Sequence, residues 1–317
     1  MKWLKRTAYT LLALFILINV MAIFHAWQFT HFYPGAEKVD LKTLGIGQKV
    51  KMLFFGYQFP KSEVKARPSL PFEEVTLMTR DQLKISGWII RSDSLPAGQA
   101  GTPNAVILFH GHGGTKGSLV GQAEFFHRLG YSVLSIDFRA HGDSDGTNCT
   151  VGYEEAEEVK LAFDFMKQEG YENLVLYGTS MGAVSIIKAE HDFQLAAHKL
   201  ILEMPFGSLP DAVAGRMRIM GLPPTPLSQL LTFWGGVEQG YWAFDFSPCE
   251  YASTIQCPVL LQWGKQDVRV QEKEILCIYE NLKSEKKLVV YEGAGHQNLY
   301  QFNPQKWEDE VRQFLLK

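Results

Sequence analysis

Leu174-Val175-Leu176-Tyr177-Gly178-Thr179-Ser180-Met181-Gly182-Ala183 decides how the rest of the chain is read. Four residues suited to a buried strand run straight into Gly-x-Ser-x-Gly, and a helical pattern over 183–190 follows at once. Physically this is a strand-to-helix elbow. Its tip residue is forced into a strained backbone conformation, so the positions two residues either side must lack bulk. Gly178 and Gly182 meet that demand. Ser180 is then held proud of the sheet, at the positive end of the following helix, where an oxyanion is stabilised.

Outward from the elbow, strands and helices alternate. The apolar run 105–109 has the character of a strand buried on both faces and ends in His110-Gly111-His112-Gly113-Gly114. A helix over 118–129 follows, then a strand over 132–136 and the loop Asp137-Phe138-Arg139-Ala140-His141-Gly142-Asp143-Ser144. Ala156, Val159, Phe163 and Met166 repeat at helical spacing within an amphipathic helix over 153–169. Further strands are expected over 200–204, 259–263 and 287–291, with helices over 271–281 and from Pro304 to the end. A hairpin over 74–78 and 83–90 precedes them, and 92–104, rich in Gly, Pro and Ser, reads as a surface loop. This alternation predicts an α/β fold: a mostly parallel sheet with helices on both faces and functional residues at the carboxyl ends of its strands.

A serine hydroxyl needs a base to take its proton and a carboxylate to orient that base. Three histidines follow Ser180. His191 and His198 lie on or just after the helix behind the elbow, facing away from its tip. His296 sits in a Gly-rich loop after the last strand, where an imidazole can swing over the sheet edge. Asp267 follows the 259–263 strand and is the expected acid; it could instead cap the helix near Gln271, and Glu203 is the reserve. The oxyanion donors are expected to be the backbone N–H of Met181 and that of His112, with Gly113 second. His110 reads as a histidine bridging loops rather than a second base. Between 206 and 247 the chain leaves the sheet pattern for an apolar, aromatic cap. Phe206, Met217, Trp234 and Trp242 are expected to line a substrate pocket there, although a cap that merely completes the core has the same composition. Arg216 or Arg218 could meet a substrate carboxylate or lie on a solvated helix face.

The chain has 317 residues, 46% of them hydrophobic and 21% charged, with a formal charge of −3. That is globular material for one large core plus appendages. The charge and the lack of basic runs exclude a nucleic-acid partner. Cys149, Cys249, Cys257 and Cys277 show no metal-ligand spacing, and a Cys249–Cys257 bridge stays open; a serine nucleophile with its base and acid implies neither a metal nor an organic cofactor. From about Thr7 to Trp27 the chain is apolar for long enough to cross a bilayer, which takes about 20 residues. Lys2, Lys5 and Arg6 should hold the N-terminus in the cytoplasm and send the rest to the outer side, with Trp27, Phe29, Phe32 and Tyr33 as an interfacial belt. A cleaved signal peptide is the competing reading. The expected division is a membrane anchor over 1–27, a juxtamembrane linker over 28–72 and a catalytic domain over 73–317. The basic, aromatic stretch 45–56 could lie on headgroups, pack on the domain or be solvated.

From about residue 73 onward the sequence resembles the α/β-hydrolase superfamily. The resemblance rests on His110-Gly111-His112-Gly113, the 137–144 loop, Gly178-Thr179-Ser180-Met181-Gly182, Pro258 to Gly264 with Asp267, and Gly293-Ala294-Gly295-His296, in that order. It implies Ser180, Asp267 and His296 as a catalytic triad. With its anchor, the chain is similar to membrane-tethered bacterial hydrolases related to monoacylglycerol lipase and to the prolyl-oligopeptidase group. The function so implied is a serine hydrolase that cleaves a carboxylic ester or thioester, of a small molecule or a lipid, through an acyl-enzyme. A peptidase or amidase of the same fold, or a non-catalytic tethered binding protein, are the alternatives.

Overall fold

The chain opens on a 29-residue helix, α1 (Lys2–Thr30), long and apolar enough to cross a membrane. The computed structural model describes residues 2–36, 45–93 and 104–316; most of the loop expected over 92–104 lies outside them. A short parallel pair, β1 (Phe32–Tyr33) and β2 (Phe59–Pro60), flanks α2 (Ile46–Phe55). The main sheet is built from β3 (Glu73–Met78), β4 (Lys84–Ile90), β5 (Asn104–Phe109), β6 (Ser132–Ile136), β7 (Asn173–Thr179), β8 (Lys199–Glu203), β9 (Val259–Gly264) and β10 (Lys286–Tyr291). Their spatial order is β3-β4-β6-β5-β7-β8-β9-β10. Only the contacts of β4, with β3 and with β6, are antiparallel. The expected mostly parallel α/β sheet is therefore the observed one.

Register is what makes a site possible. Phe109 at the end of β5 pairs with Gly178 of β7, and Thr179 pairs with Glu203 at the end of β8. Gly264 at the end of β9 pairs with Tyr291 of β10. Five carboxyl ends, those of β5, β7, β8, β9 and β10, thus finish along one rim, and the loops after them open on the same side. Every residue of β5, β6, β8 and β9 is buried, as continuous apolar strands covered on both faces must be. The covering helices include α3 (Val120–Arg128), α4 (Glu155–Gln168) and α5 (Met181–Phe193). The cap follows β8 as α6 (Leu209–Ile219) and α7 (Leu227–Gln239). Then come α8 (Pro248–Tyr251), α9 (Glu272–Asn281), α10 (Leu299–Phe302) and α11 (Pro304–Leu316). Trp307 of α11 is fully buried and donates from Nε1 to Glu203 Oε1 at 2.5 Å, which ties the last helix to the sheet.

Two buried ion pairs shape the loop after β6. Asp137 accepts from Lys116 Nζ at 2.5 Å, from the Lys116 N–H at 2.6 Å and from the Asp143 N–H at 2.9 Å. Arg139 pairs with the buried Glu158 of α4. Because three donors converge on the Asp137 carboxylate, its desolvation is offset and the loop is held in one shape.

The expected aromatic belt is corrected in part. Phe32 is 2% exposed and packs against the rings of His112 and His141, 4.9 and 4.5 Å away. Its N–H donates to the Thr147 carbonyl, and the Cys149 N–H donates to that of Thr30, both at 2.7 Å. These bonds draw the end of α1 into the domain, where burying a ring gains more than the interface offers. Further up, Trp234 of α7 donates to Asn19 at 3.0 Å and Thr30 donates to Glu238 at 3.1 Å, so α1 lies along the cap. The left-open Cys249–Cys257 bridge is not formed: Cys249 is bonded to Cys277, across a Cα separation of 5.6 Å, and Cys257 is free. That bond joins α8 to α9.

Candidate active site

Ser180 sits between β7 and α5 with φ +50° and ψ −112°. A non-glycine residue at such angles is strained and persists only where its surroundings fix it. They do so here. The Ser180 N–H donates to the Glu203 carbonyl at 2.7 Å, and Gly182 lies so close to the Phe109 and His110 backbone that no side chain fits there. A Cβ at Gly178 would likewise come within 2.6 Å of the Gly182 carbonyl carbon.

The loop after β10 brings His296 across the rim, and its Nε2 lies 3.0 Å from Ser180 Oγ. Its Nδ1 lies 2.6 Å from Asp267 Oδ2, in the loop after β9. The other Asp267 oxygen accepts the N–H groups of Arg269 and Val270 at 2.7 and 3.0 Å. Those bonds leave Oδ2 for the imidazole and fix the tautomer with its proton on Nδ1 and its lone pair toward the serine. The helix-capping alternative for Asp267 fails: α9 is capped at Gln271 by its own box with Glu274. The reserve acid Glu203 ends β8 with its buried carboxyl turned to Trp307, and burial pushes it up to about 7.

The loop after β5 is pinned by two histidines that burial keeps neutral. His110 Nε2 accepts the Phe138 N–H at 3.1 Å while Nδ1 donates to the Gly111 carbonyl at 2.8 Å. Burial takes its pKa down to about 4. His141 Nδ1 donates to the Arg139 carbonyl at 2.8 Å, and its Nε2 accepts the Gly113 N–H at 3.0 Å. Burial, then the neighbouring His110, take it down to about 3. Gly113 therefore spends its N–H on His141 and is not an oxyanion donor, which corrects the expectation for it. The His112 N–H makes no bond among the described residues and stands in the wall of the cleft. The Met181 N–H belongs to the first turn of α5, which has no intrahelical acceptor.

These groups line a cleft of about 350 Å³. Phe206 is part of its wall, as expected, together with Leu209 and Val213 of α6. Met217, Trp234 and Trp242 are not: Met217 is buried on another side of α6, Trp234 is bonded to α1, and Trp242 is 57% exposed. Their apolar faces are used for packing the cap rather than for the cleft. Among the wall residues outside the expected set are Phe29 from the end of α1, Arg269, and Gln297 beside His296. A basic residue two positions after the candidate acid was the one available signal, for Arg269.

The fold has solved counterparts. The esterase Pf2001 of Pyrococcus furiosus superposes with a TM-score of 0.64 over 80% of this chain and 98% of its own, at 26% identity. The chain is an α/β-hydrolase. Residues 101–234 match the family described as serine aminopeptidase, S33. YqkD of Bacillus subtilis is 28% identical over 218 residues, which span 68% of this hydrolase and 72% of YqkD. The lysophosphatidylserine lipase ABHD12 of Danio rerio is 26% identical over 180 residues, 52% of this hydrolase and 44% of that protein. Esterases and lipases among these neighbours mark the chain as an ester hydrolase in the broad sense.

Proposed function

We propose that the hydrolase cleaves a carboxylic ester or thioester through an acyl-enzyme, with Ser180, His296 and Asp267 as its triad. The observation that carries this reading is the chain of short contacts from Asp267 Oδ2 through His296 to Ser180 Oγ, 2.6 and 3.0 Å. Ser180 Oγ attacks the carbonyl carbon while His296 Nε2 takes the hydroxyl proton, and Asp267 stabilises the imidazolium. The N–H groups of Met181 and His112 receive the developing oxyanion. His296 then gives its proton to the departing alkoxide or thiolate, and a water molecule repeats the sequence to release the acid.

The peptidase reading would use the same three residues, and the serine aminopeptidase match favours it. An aminopeptidase must also hold the ammonium of its substrate, which calls for a carboxylate. The described wall of the cleft holds Arg216 and Arg269 and no acidic residue. Like charges disfavour an amino terminus there, and the ester reading is preferred.

We also infer the division into a membrane anchor (1–27), a linker (28–72) and a catalytic domain (73–317), with the domain on the outer side. Lys2, Lys5 and Arg6 before the apolar run support that orientation. So does the Cys249–Cys277 bond, which belongs in an oxidising compartment. Hydrolysis of 4-nitrophenyl esters of increasing chain length, beside an aminoacyl 4-nitroanilide, tests the reading. Short and medium esters should be turned over and the anilide not; S180A and H296A should abolish turnover. Preference for the anilide would overturn the ester assignment.

A further inference from the structure

Beside the cleft lies a second cavity of about 730 Å³, walled on the far side by the chain around β2. The two share His112, Gly113, Gly114, Ser118, Arg216 and Arg269, so the arginines stand at the junction. Arg216 of α6 donates from Nη2 to His112 Nδ1 at 2.9 Å and lies over the rings of Phe29 and Phe59, 4.9 and 5.6 Å from their centroids. No described carboxylate forms an ion pair with it, and none pairs with Arg269. Arg216 and Arg269 are half-buried, whereas the cations that the fold buries outright are paired. Arg139 lies within 4.0 Å of four carboxylates, those of Asp81, Glu154, Glu157 and Glu158, and Lys116 is held between Asp137 and Asp143. Arg218, two residues after Arg216 in α6, donates to the Val268 and Arg269 carbonyls and faces Glu274 at 3.6 Å.

Arg216 and Arg269 are close enough to repel each other, and burial together with Arg269 brings the Arg216 pKa down to about 10. Among the described residues, the charged groups facing this second chamber are Lys61, Lys65, Arg216 and Arg269 against a single carboxylate, Glu63. Of these, Lys61 is already bonded to the Ser144 carbonyl. Two guanidiniums with unused N–H donors, at the edge of a cavity and paired with no described carboxylate, match the bidentate geometry of an anionic group.

We propose that the second chamber is an anion subsite of the catalytic cleft, with Arg216 and Arg269 as the residues that select an ester bearing a phosphate or carboxylate. The inference rests on the ester-hydrolase reading. Because the arginines adjoin the 112–114 loop, the anionic group sits only a few bonds from the scissile carbonyl. Occupation of the subsite relieves the repulsion between the two guanidiniums and leaves the His112 contact in place, since one fork of Arg216 remains for the ligand.

The test compares three decanoyl monoesters that share one acyl chain: of glycerol, of glycerol 3-phosphate and of glyceric acid, with the full chain in a non-ionic detergent. The kcat/KM of at least one anionic ester should exceed that of the glycerol ester by about tenfold or more, the scale of one charge-assisted hydrogen bond. Which of the two is favoured distinguishes a phosphate from a carboxylate ligand. In R216Q and in R269Q the anionic-over-neutral ratio should fall about tenfold, and R216K should retain part of it. Arg269 makes no side-chain hydrogen bond or ion pair among the described residues, so R269Q keeps the test available if R216Q does not fold. Turnover of the glycerol ester with no preference for either anion, or an unchanged ratio in folded R269Q, would overturn the subsite alone. No turnover of any of the three would overturn the ester-hydrolase reading on which it stands.

Discussion

Replacing Asp267 by Asn separates the charge of the acid from its shape. Asp267 Oδ1 accepts the Arg269 and Val270 N–H groups at 2.7 and 3.0 Å. The amide of Asn must keep its carbonyl on that side, because its NH2 cannot accept from two donors. The NH2 then faces His296 Nδ1, where the native Oδ2 stands at 2.6 Å. Two N–H groups cannot face each other, so the imidazole takes the other tautomer and points Nε2–H at Ser180 Oγ. A base in that state has no lone pair for the serine proton. Loss of the correct tautomer with the geometry intact costs roughly 10⁴ in kcat, about 5.5 kcal/mol of transition-state stabilisation. D267N is near-isosteric and should unfold close to the native temperature. The assay is 4-nitrophenyl butyrate hydrolysis beside a thermal unfolding curve on the same sample. A folded D267N within tenfold of the native rate would refute the reasoning.

Three further outcomes follow from the same contacts. D137A leaves the fully buried Lys116 ammonium without its main partner, and should lower stability by about 3–5 kcal/mol in denaturant unfolding. The Glu203 carboxyl titrates near 7 in the fold against an ordinary 4.5. The unfolded chain therefore binds fewer protons between those values, and this group makes stability fall as pH rises from about 4.5 to about 7. E203Q removes that term while keeping an acceptor for Trp307, so its stability relative to the native chain should rise by up to about 3 kcal/mol between pH 4 and pH 8. Equal pH profiles would contradict the buried acid. G182A forces a methyl group onto the Phe109 and His110 backbone, so the elbow should shift and ester turnover should drop to background.

The elbow, the strand order and the rim residues were legible because each rests on local chemistry. Small residues around Ser180, apolar runs in the buried strands and Gly-rich loops at their ends each have a narrow physical meaning. Gly113 was misjudged because its N–H is claimed by His141, which lies 28 positions away in sequence. Trp234 and Trp242 were aromatic in the right segment, yet a helix carries its side chains on every face, and composition cannot tell which face meets the cleft. Trp234 turned to Asn19 of α1. Phe29 and Phe32 read as an interfacial belt because nothing in the apolar run signals that α1 ends against the loop carrying Thr147 and Cys149. The Cys249–Cys277 pairing depends on how α8 meets α9, a contact without a sequence signature.

The central claim is that the hydroxyl of Ser180 is a nucleophile activated by His296. The most direct measurement is reaction of the full chain with a fluorophosphonate, followed by mass mapping of the modified peptide. The account predicts one adduct, on Ser180, formed far more slowly in H296A and not at all in S180A. A folded protein that takes no adduct, or takes it on another serine, would contradict it.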